Sequence, residues 1–349
     1  MSITCRPFGK TAAGEAVHEY TITNASGASA SILDFGGTVT RIVVPDRNGK
    51  LDDVNLSYDD VAHYESDNSG SMGGLIGRYG NRIGGASFEL EGQTYTLAQN
   101  NGQNCLHGGR VGYNRRMWTA QPVEPDTLRL TLVSPDGEEG FPGTVQITVD
   151  YTFDQTNTLG IHYHAVTDKP TLLNLTNHSY FNLNGHSGPT IHNHELHIAA
   201  DFITETDNSL IPTGRLIPSD STVYGFTTPT KIGDVLAHND TDPTLKNAGG
   251  VDFNYCAGRD RQTKTIASLY SPLTGRVMDV ITDQPGVQCY MAQFLQNTGK
   301  DGAVYGAFQA VCLETQHYPD SIHQPHFPSV VVRPQDVYDT FTLYRFSVR

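Results

Sequence analysis

Apolar and polar residues alternate along much of this chain, and that pattern predicts β-strands. The segments 144–153 (TVQITVDYTF) and 159–166 (LGIHYHAV) alternate with a period of two, and 128–133 (LRLTLV) does the same. Because successive side chains of a strand point to opposite faces, each segment predicts a strand with one apolar face. The first and third of these, joined by a loop rich in glycine and proline, predict an antiparallel pair.

Turn residues divide the rest of the chain into further short elements. Residues 265–283 (TIASLYSPLTGRVMDVITD) predict a hairpin, because the SPLTG turn has proline where a type I turn favours it. Strands are also predicted at 38–44 (TVTRIVV) and, as a final pair, within 330–346. Short helices are predicted at 59–66 (DDVAHYES) and 231–236 (KIGDVL).

The whole chain is predicted to be one continuous, mostly β domain over residues 1–349. Neither a break in composition, nor a proline- or serine-rich linker, nor a repeat of fixed period divides the sequence. The chain has 35 glycines, 18 prolines and 17 tyrosines, and only 17% of its residues are charged. That composition favours turns and short strands over amphipathic helices.

The charge balance limits the kinds of partner. Lys and Arg number 23 against 37 Asp and Glu, which gives a formal net charge of −14. An acidic chain lacks the basic footprint that binds nucleic acid or an anionic membrane, so neither partner is predicted. No apolar run approaches the roughly 18 residues of a membrane span. A neutral small molecule is compatible with this charge, and so are both a monomer and a homodimer.

The cysteines indicate the redox compartment. They are odd in number and widely scattered, and no CxxC pair occurs among them. This pattern is typical of reduced thiols in a cytosolic protein rather than of a disulfide framework or a zinc site, so we predict a cytoplasmic location. The five are Cys5, Cys105, Cys256, Cys289 and Cys312.

The candidate chemistry begins at residues 174–185 (NLTNHSYFNLNG), where His178 lies within a dense run of hydrogen-bonding side chains. A histidine held there can donate or accept a proton, and the alternative is a buried histidine with satisfied hydrogen bonds. Glu314 ends the otherwise apolar alternation of Phe308, Ala310 and Cys312. Because burying an unpartnered carboxylate is costly, this glutamate is either paired or functional.

Two glycine-rich stretches and a cluster of histidines supply further candidates. In residues 73–90, Arg78 and Arg82 flank Asn81, and both ligand contact and a structural role are open for these arginines. The loop 100–109 presents His107, and Asp252 follows paired glycines, where a turn-stabilising aspartate is common. A metal site is disfavoured for three histidines that lack the carboxylate and histidine pattern of a helical zinc motif, namely His192, His194 and His197.

Seven motifs, occurring in order over nearly the whole chain, resemble those of the aldose 1-epimerases, also called galactose mutarotases. They are GRYGNRIGGASFEL, NNGQNCLHGG, SPDGEEGFPG, NLTNHSYFNLNG, GGVDFNY, DQPGVQCY and LETQHYPDS. The resemblance implies an all-β fold, a large antiparallel β-sandwich with a few short helices. It also implies a hexose substrate and catalysis without a metal or another cofactor.

The resemblance also assigns roles residue by residue. His178 in NHSYFNL matches the general acid of the family, and Glu314 in LETQ matches its general base. The positions that match sugar-contacting residues are Asn81, Arg82, His107, Tyr180, Phe181, Asp252 and Gln288. Two residues depart from the pattern: Gly80 stands where alanine is usual, and Phe253 where histidine is frequent.

Exchange of sugar anomers needs this pair of groups. A base must remove the proton of the anomeric hydroxyl while an acid protonates the ring oxygen, which opens the ring. From reference pKa values near 4.3 for glutamate and 6.5 for histidine, we expect an ionised Glu314. The carboxylate next to His178 should then favour the imidazolium.

Two other function classes are compatible with these residues. A glycosidase could use Asp252 with Glu314 if their carboxyls lay roughly 5–9 Å apart, although a histidine as the acid counts against it. A sugar-binding module that has lost catalysis could keep the fold and the sugar contacts. Both His178 and Glu314 are present in their motifs, which counts against that alternative.

Overall fold

The computed structural model describes residues 2–66, 70–258 and 261–349, and strands are the main regular structure in them. In chain order the strands are β1 (Ser2–Lys10), β2 (Ala16–Thr23), β3 (Ser29–Leu33), β4 (Val39–Pro45), β5 (Leu51–Asp53), β6 (Leu75–Ile76), β7 (Arg82–Ile83), β8 (Ser87–Leu90), β9 (Gln93–Thr96), β10 (Cys105–Leu106), β11 (Thr119–Glu124), β12 (Thr127–Ser134), β13 (Val145–Phe153), β14 (Thr158–Thr167), β15 (Thr171–Leu172), β16 (Thr176–Asn177), β17 (Glu195–Ile198), β18 (Phe202–Thr206), β19 (Pro212–Pro218), β20 (Thr230–Lys231), β21 (Asp252–Cys256), β22 (Lys264–Tyr270), β23 (Arg276–Thr282), β24 (Gly286–Tyr290), β25 (Asn297–Thr298), β26 (Val304–Tyr305), β27 (Cys312–Gln316), β28 (Val331–Val332) and β29 (Tyr338–Val348).

Helices are few and short. The α-helices are α1 (Val61–Glu65), α2 (Ile232–Leu236) and α3 (Pro243–Ala248). Single turns of 3₁₀ helix lie at Gly84–Ala86, Tyr113–Arg115, Glu138–Gly140, Ile191–Asn193, Ser219–Ser221, Lys300–Gly302 and Ser321–His323. Within residues 2–66, 70–258 and 261–349, no helix has the length and hydropathy needed to cross a bilayer.

Three larger sheets organise the chain, and their strands pair antiparallel. The first contains β1 to β5 in chain order, and the second has nine strands in the order β11, β12, β13, β14, β29, β23, β22, β17, β20. The third has five strands in the order β19, β18, β21, β24, β27. The remaining strands form two-stranded ladders. The predicted all-β antiparallel class is therefore confirmed.

Period-two burial explains how the nine-stranded sheet packs. In β13, Val145, Ile147, Val149, Tyr151 and Phe153 are all buried, while the residues between them are more exposed. Each fully buried side chain of this size stabilises the fold by about 1.5–3 kcal/mol. This face lies in one large apolar cluster with side chains of the other two large sheets.

The third sheet carries different chemistry on its two faces. The side chains on one face of β21, β24 and β27 belong to the large apolar cluster, and we call this the core face: Phe253, Tyr255, Val287, Cys289 and Leu313, with Thr315. The opposite face, called the site face, has three rows of cross-strand neighbours: Asp252, Tyr290, Cys312; then Asn254, Gln288, Glu314; then Cys256, Gly286, Gln316. Alternation along three paired strands thus separates packing from polar chemistry.

Most predicted elements are present, and two details differ. The hairpin of β22 and β23, the short helices α1 and α2, and the final strands β28 and β29 are confirmed. Helix α3 was not predicted, although its signals are in the sequence: Asp242 caps its N-terminus, Pro243 is its first residue and Gly249 ends it in the left-handed conformation. Asp252 was expected on a turn but is the first residue of β21.

Candidate active site

Backbone and asparagine hydrogen bonds place His178 above the site face. The His178 amide donates to the Gly74 carbonyl at 3.0 Å, and the Gly73 amide donates to the His178 carbonyl at 2.8 Å. Asn177 fixes the same turn, because its Nδ2 donates to the Gly73 carbonyl at 2.8 Å and its Oδ1 accepts from the Ser179 hydroxyl at 2.6 Å. The dense polar run seen in the sequence therefore holds the histidine in place.

The structure brings together the two residues that were predicted as acid and base. Nε2 of His178 lies 3.7 Å from Oε1 of Glu314, and their side chains are only 7% and 2% exposed. Glu314 reaches this position from the middle row of the site face. A proton donor and a proton acceptor thus meet in a place from which bulk water is nearly excluded.

Aromatic rings surround the imidazole of His178. Tyr180 stacks on it with ring centroids 5.1 Å apart and an interplanar angle of 14°, and its hydroxyl donates to the Gly70 carbonyl at 2.9 Å. His107 and Tyr290 approach it edge-on at centroid distances of 5.2 and 6.1 Å. Tyr290 was not identified from the sequence, although it lies two residues from Gln288 and therefore shares its strand face.

A backbone hydrogen bond fixes the tautomer of His107. The Asn81 amide donates to Nδ1 of His107 at 3.2 Å, and the His107 amide donates back to the Asn81 carbonyl at 3.1 Å. Because Nδ1 accepts this hydrogen bond, the neutral ring carries its hydrogen on Nε2, which becomes a donor. The predicted contact residues Asn81 and His107 are therefore held together as one unit.

The tautomer of His107 bears on metal binding. Ligand-type atoms of His107, His178 and Glu314 lie within 4.8 Å of one another, which is the only such cluster in the described part of the chain. A metal ligand needs a free lone pair, whereas Nδ1 of His107 accepts the Asn81 amide and Nε2 then carries hydrogen. This donor set fits a hydrogen-bonding organic ligand rather than a metal ion.

Two of the three histidines considered for a metal site, His192 and His194, have other hydrogen-bond partners. Nε2 of His194 accepts the Leu183 amide at 3.0 Å, and its Nδ1 lies 3.1 Å from Oδ1 of Asn193. Nδ1 of His192 shares a hydrogen bond with the Thr190 hydroxyl. The buried His194 is thus a satisfied structural histidine, which is the alternative that had been left open for His178.

The two arginines of the glycine-rich segment have different roles. The buried guanidinium of Arg78 donates to the carbonyls of Pro142 and Gly143 at 2.7 and 2.9 Å, so Arg78 supports the loop structure. Arg82 is partly exposed, and its Nε donates to Oδ1 of Asn101 at 3.1 Å. Its positive charge lowers the pKa of both Glu314 and His107, which places it at the site.

Asp252 and Gln288 form a hydrogen-bonded pair on the site face. Nε2 of Gln288 donates to Oδ1 of Asp252 at 2.6 Å. The buried Oε1 of Gln288 has no hydrogen-bond partner among the described residues. A carboxylate and an amide carbonyl presented in this way are acceptors for the hydroxyl groups of a neutral ligand.

Phe181 is a correction to the predicted site. Its side chain is fully buried, and its ring packs against Tyr344 and Phe346 at centroid distances of 4.9 and 6.4 Å. Successive residues of an extended segment point to opposite sides, so Tyr180 faces His178 whereas Phe181 enters the core. Its ring therefore lies in the core rather than beside His178 and Glu314.

Burial shifts the acid and base away from their ordinary protonation states. Burial, together with the negative charge of Asp252, raises the pKa of Glu314 well above its usual value, and the charge of Arg82 opposes this only in part. Burial lowers the pKa of His178 to about 4 and also lowers that of His107. Burial thus disfavours the charged form of each group, whereas the sequence led us to expect an ionised Glu314 beside an imidazolium.

Unpartnered buried polar atoms are concentrated at this site. Leaving such an atom without a hydrogen bond costs about 1–3 kcal/mol. Among the described residues these atoms include Nδ1 of His178, Oε2 of Glu314, Oε1 of Gln288, Oδ1 of Asn254 and both amide atoms of Gln316. A site with this many open hydrogen-bonding positions fits a polar ligand.

Comparisons with known proteins agree with this geometry. The family model described as aldose 1-epimerase matches residues 18–345. Galactose mutarotase of Sus scrofa is 38% identical over 350 residues, which cover 100% of this chain and 99% of that protein. A solved GalM/aldose epimerase homologue from C. elegans superposes with a TM-score of 0.86 at 32% identity, covering 94% of this chain and 98% of that one.

A second solved structure supports the fold alone. Galactose 1-epimerase from Lactobacillus acidophilus NCFM superposes with a TM-score of 0.85 over 100% of this chain and 99% of that one, at 23% identity. The β-sandwich predicted from the motifs is thus shared with solved proteins at two levels of sequence similarity.

Proposed function

Because this chain belongs to the aldose 1-epimerase family, we propose that it interconverts the α and β anomers of free aldohexoses such as galactose and glucose, as a step of hexose metabolism. The observation that carries the proposal is the buried approach of His178 Nε2 to Glu314 Oε1 at 3.7 Å. Polar groups suited to sugar hydroxyls surround this pair.

The reaction moves two protons and breaks one bond. The ionised Glu314 takes the proton of the anomeric hydroxyl while the His178 imidazolium gives its proton to the ring oxygen. The bond between the anomeric carbon and the ring oxygen breaks, which leaves an aldehyde and a hydroxyl. The aldehyde rotates about its bond to the next carbon, and the same two transfers in reverse close the ring on the other face.

One proton resides on the catalytic pair throughout the cycle. The cyclic sugar reacts with the carboxylate and the imidazolium, and the open form leaves a carboxylic acid and a neutral imidazole. Burial favours that neutral pair, since it raises the pKa of Glu314 and lowers that of His178. The low dielectric of the site therefore stabilises the protonation state that accompanies the open-chain aldehyde.

The remaining groups hold the sugar while its anomeric end rotates. Nε2 of His107 donates, Oε1 of Gln288 accepts, and the carboxylate of Asp252 accepts a further hydroxyl hydrogen bond. The buried Asn81 and the partly exposed Arg82 complete the hydroxyl contacts. Tyr180 keeps the ring of His178 in orientation by stacking on it.

Polarimetry tests this function. The optical rotation of freshly dissolved α-glucose or α-galactose should relax to equilibrium faster in the presence of the protein. A blocked anomeric oxygen has no proton for Glu314 to remove, so glycosides should stay intact. No acceleration would reject the proposal, and release of nitrophenol from an aryl galactoside at a comparable rate would favour the glycosidase alternative.

A cytoplasmic location is part of the same proposal. All five cysteines are unpaired thiols, and four of them are buried. Such thiols persist where the cell keeps its proteins reduced. Cell fractionation should find the protein with cytosolic markers, and recovery with a secreted or membrane fraction would contradict this location.

A further inference from the structure

Gln316 is a buried amide that lies next to Glu314 on the site face. It is the last residue of β27, two positions after Glu314, and its side chain is fully buried. Residues two apart on a strand are separated by about 7 Å and point to the same face. Neither Nε2 nor Oε1 of Gln316 has a hydrogen-bond partner among the described residues.

Glu314, in turn, has a carboxylate oxygen that lacks a hydrogen-bond donor. Its Oε1 faces His178, while its buried Oε2 has no donor within residues 2–66, 70–258 and 261–349. A buried carboxylate needs hydrogen-bond donors to ionise, because the low dielectric penalises its charge. An unpartnered donor and an unpartnered acceptor thus lie two residues apart on one strand face.

The other two side-chain amides of the site face already donate hydrogen bonds. Nε2 of Gln288, directly across the ladder from Glu314, donates to Asp252 at 2.6 Å. Nδ2 of Asn254 donates to Sγ of Cys256 at 3.5 Å. Of the three amide nitrogens on this face, that of Gln316 alone remains without an acceptor in the described structure.

The backbone around Gln316 is held firmly. Asn174 accepts the amide of the following residue, His317, at 2.9 Å and donates to the Gly80 carbonyl at 3.1 Å. A Cβ placed on Gly80 would lie 3.5 Å from Oε1 of Gln316. The strand end is therefore fixed, so that any change in the direction of the amide comes from the side-chain torsions of Gln316.

We propose that Gln316 is a positioning residue whose amide nitrogen donates a hydrogen bond to Oε2 of Glu314, directly or through one water molecule, when that carboxyl ionises to act as the base. This inference rests on the role of Glu314 proposed above. The bond stabilises the carboxylate and fixes its orientation toward the sugar. Gln316 itself touches neither the sugar nor the transferred protons.

Other charged and titratable groups near Glu314 also influence its ionisation. Asp252 disfavours the carboxylate and Arg82 favours it. The groups near it, on its own strand and on neighbouring elements, are Asp252, Arg82, His107, His178, Tyr180, Cys289, Tyr290, Cys312 and Tyr344. None of these changes when Gln316 alone is replaced, so a substitution at Gln316 isolates its own contribution.

Gln316→Met tests the inference, since methionine keeps the size of glutamine and removes both polar atoms. Loss of the Gln316 donor destabilises the ionised form of Glu314. When Glu314 and His178 share one proton, that proton is therefore found less often on His178. The plateau of kcat should fall by about tenfold to a hundredfold, the usual worth of a hydrogen bond to a charged group. KM should stay within about twofold, because binding contacts are untouched.

The pH profile distinguishes this role from a structural one. The apparent pKa of the alkaline limb of kcat, where Glu314 loses its proton, should rise by about one pH unit for each tenfold fall of the plateau. Above that pKa, the kcat values of the variant and the wild type should therefore coincide. A fall of kcat with an unmoved limb, or an unchanged kcat, would overturn the inference.

Two controls keep the result interpretable. Gln284 is another buried glutamine with an unpartnered Oε1, but its amide nitrogen faces the Tyr338 hydroxyl at 3.4 Å, so Gln284→Met should leave the pH profile of kcat unchanged. If Gln316→Met does not fold, Gln316→Leu makes the same comparison. Wild-type turnover in Glu314→Gln would instead reject the proposed base, a result separate from any outcome at Gln316.

Discussion

The core face and the site face of the third sheet belong to the same three strands, yet the side chains of one face pack in the core and those of the other carry polar groups. Phe253, Val287 and Leu313 on the core face are buried in the large apolar cluster. Asn254, Gln288 and Glu314, their immediate neighbours in sequence, are equally buried but leave polar atoms without partners. The core face stabilises the strands, and this stability lets the site face keep unsatisfied groups ready for a ligand.

A comparison of two buried histidines shows the same division. His178 and His194 both have pKa values lowered by burial, to about 4 and about 3. Both ring nitrogens of His194 have hydrogen-bond partners, whereas Nδ1 of His178 has none in the described structure and Nε2 faces Glu314. A shifted pKa by itself does not mark a catalytic group; unsatisfied hydrogen-bonding capacity beside a second titratable group does.

Removing either reacting group should have the largest effect on turnover. Glu314→Gln and His178→Asn should each lower kcat by roughly two to four orders of magnitude, since each removes a positioned proton-transfer group. Because ring opening needs both transfers, the double variant should lose less than the product of the two factors. Polarimetry on folded protein that still binds galactose measures this, and near-normal turnover in Glu314→Gln would contradict the mechanism.

The same Glu314→Gln variant should be more stable than the wild type. The folded protein binds the Glu314 proton more tightly than the unfolded chain, so the contribution of this carboxyl is full below its ordinary pKa and is lost as pH rises through the raised value. Glutamine removes that loss, and calorimetry should find a gain of about 0.5–2 kcal/mol at neutral pH. A decrease in Tm would show that the carboxyl is better satisfied than its surroundings indicate.

Changing a group that only binds should affect KM more than kcat. Asp252→Asn removes a charged acceptor but keeps the shape and the pairing with Gln288. We expect KM to rise by about tenfold to a hundredfold with a smaller change in kcat, because the contact is made equally in ground and transition states. Steady-state kinetics with galactose measures both constants. Collapse of kcat at constant KM would place Asp252 in the chemistry and revive the glycosidase alternative.

The pH profile of kcat/KM should be wider than reference values predict. The free pair carries one proton between the pKa of His178, lowered to about 4, and that of Glu314, which lies well above the usual carboxyl range. Activity should fall about tenfold per pH unit outside these limits, where the pair gains a second proton or loses its only one. Limbs at about 4.3 and 6.5, the reference values, would show that burial does not set the protonation of the pair.

A substitution on the core face should leave catalysis nearly unchanged. Leu313→Ala lies next to Glu314 in sequence but points into the apolar cluster, so the free energy of unfolding should fall by about 2–5 kcal/mol. In protein that remains folded, kcat should stay within about threefold, because the site face keeps its groups. Denaturant titration and polarimetry at low temperature measure the two effects. A loss of kcat as large as that of Glu314→Gln would show that the two faces are not separable.

The sequence by itself determined the class of fold and led to the residues that we propose act at the site. Period-two alternation fixes which residues of β13 and β14 are buried, and the turn residues of 265–283 fix a hairpin, because both depend on neighbours in the chain. The motifs around His178 and Glu314 were sufficient to predict an acid and a base. Even helix α3, which was not predicted, has its capping residues in the local sequence.

Only the tertiary structure decided how those groups work together. The register of β21, β24 and β27 sets Gln288 beside Glu314, and the turn before Tyr180 brings His178 to 3.7 Å from it. The same packing sends Phe181 into the core and leaves the buried amide of Gln316 without a hydrogen-bond partner among the described residues. Protonation follows from this arrangement as well, because desolvation and the charge of a neighbour are properties of the folded surroundings rather than of any local pattern.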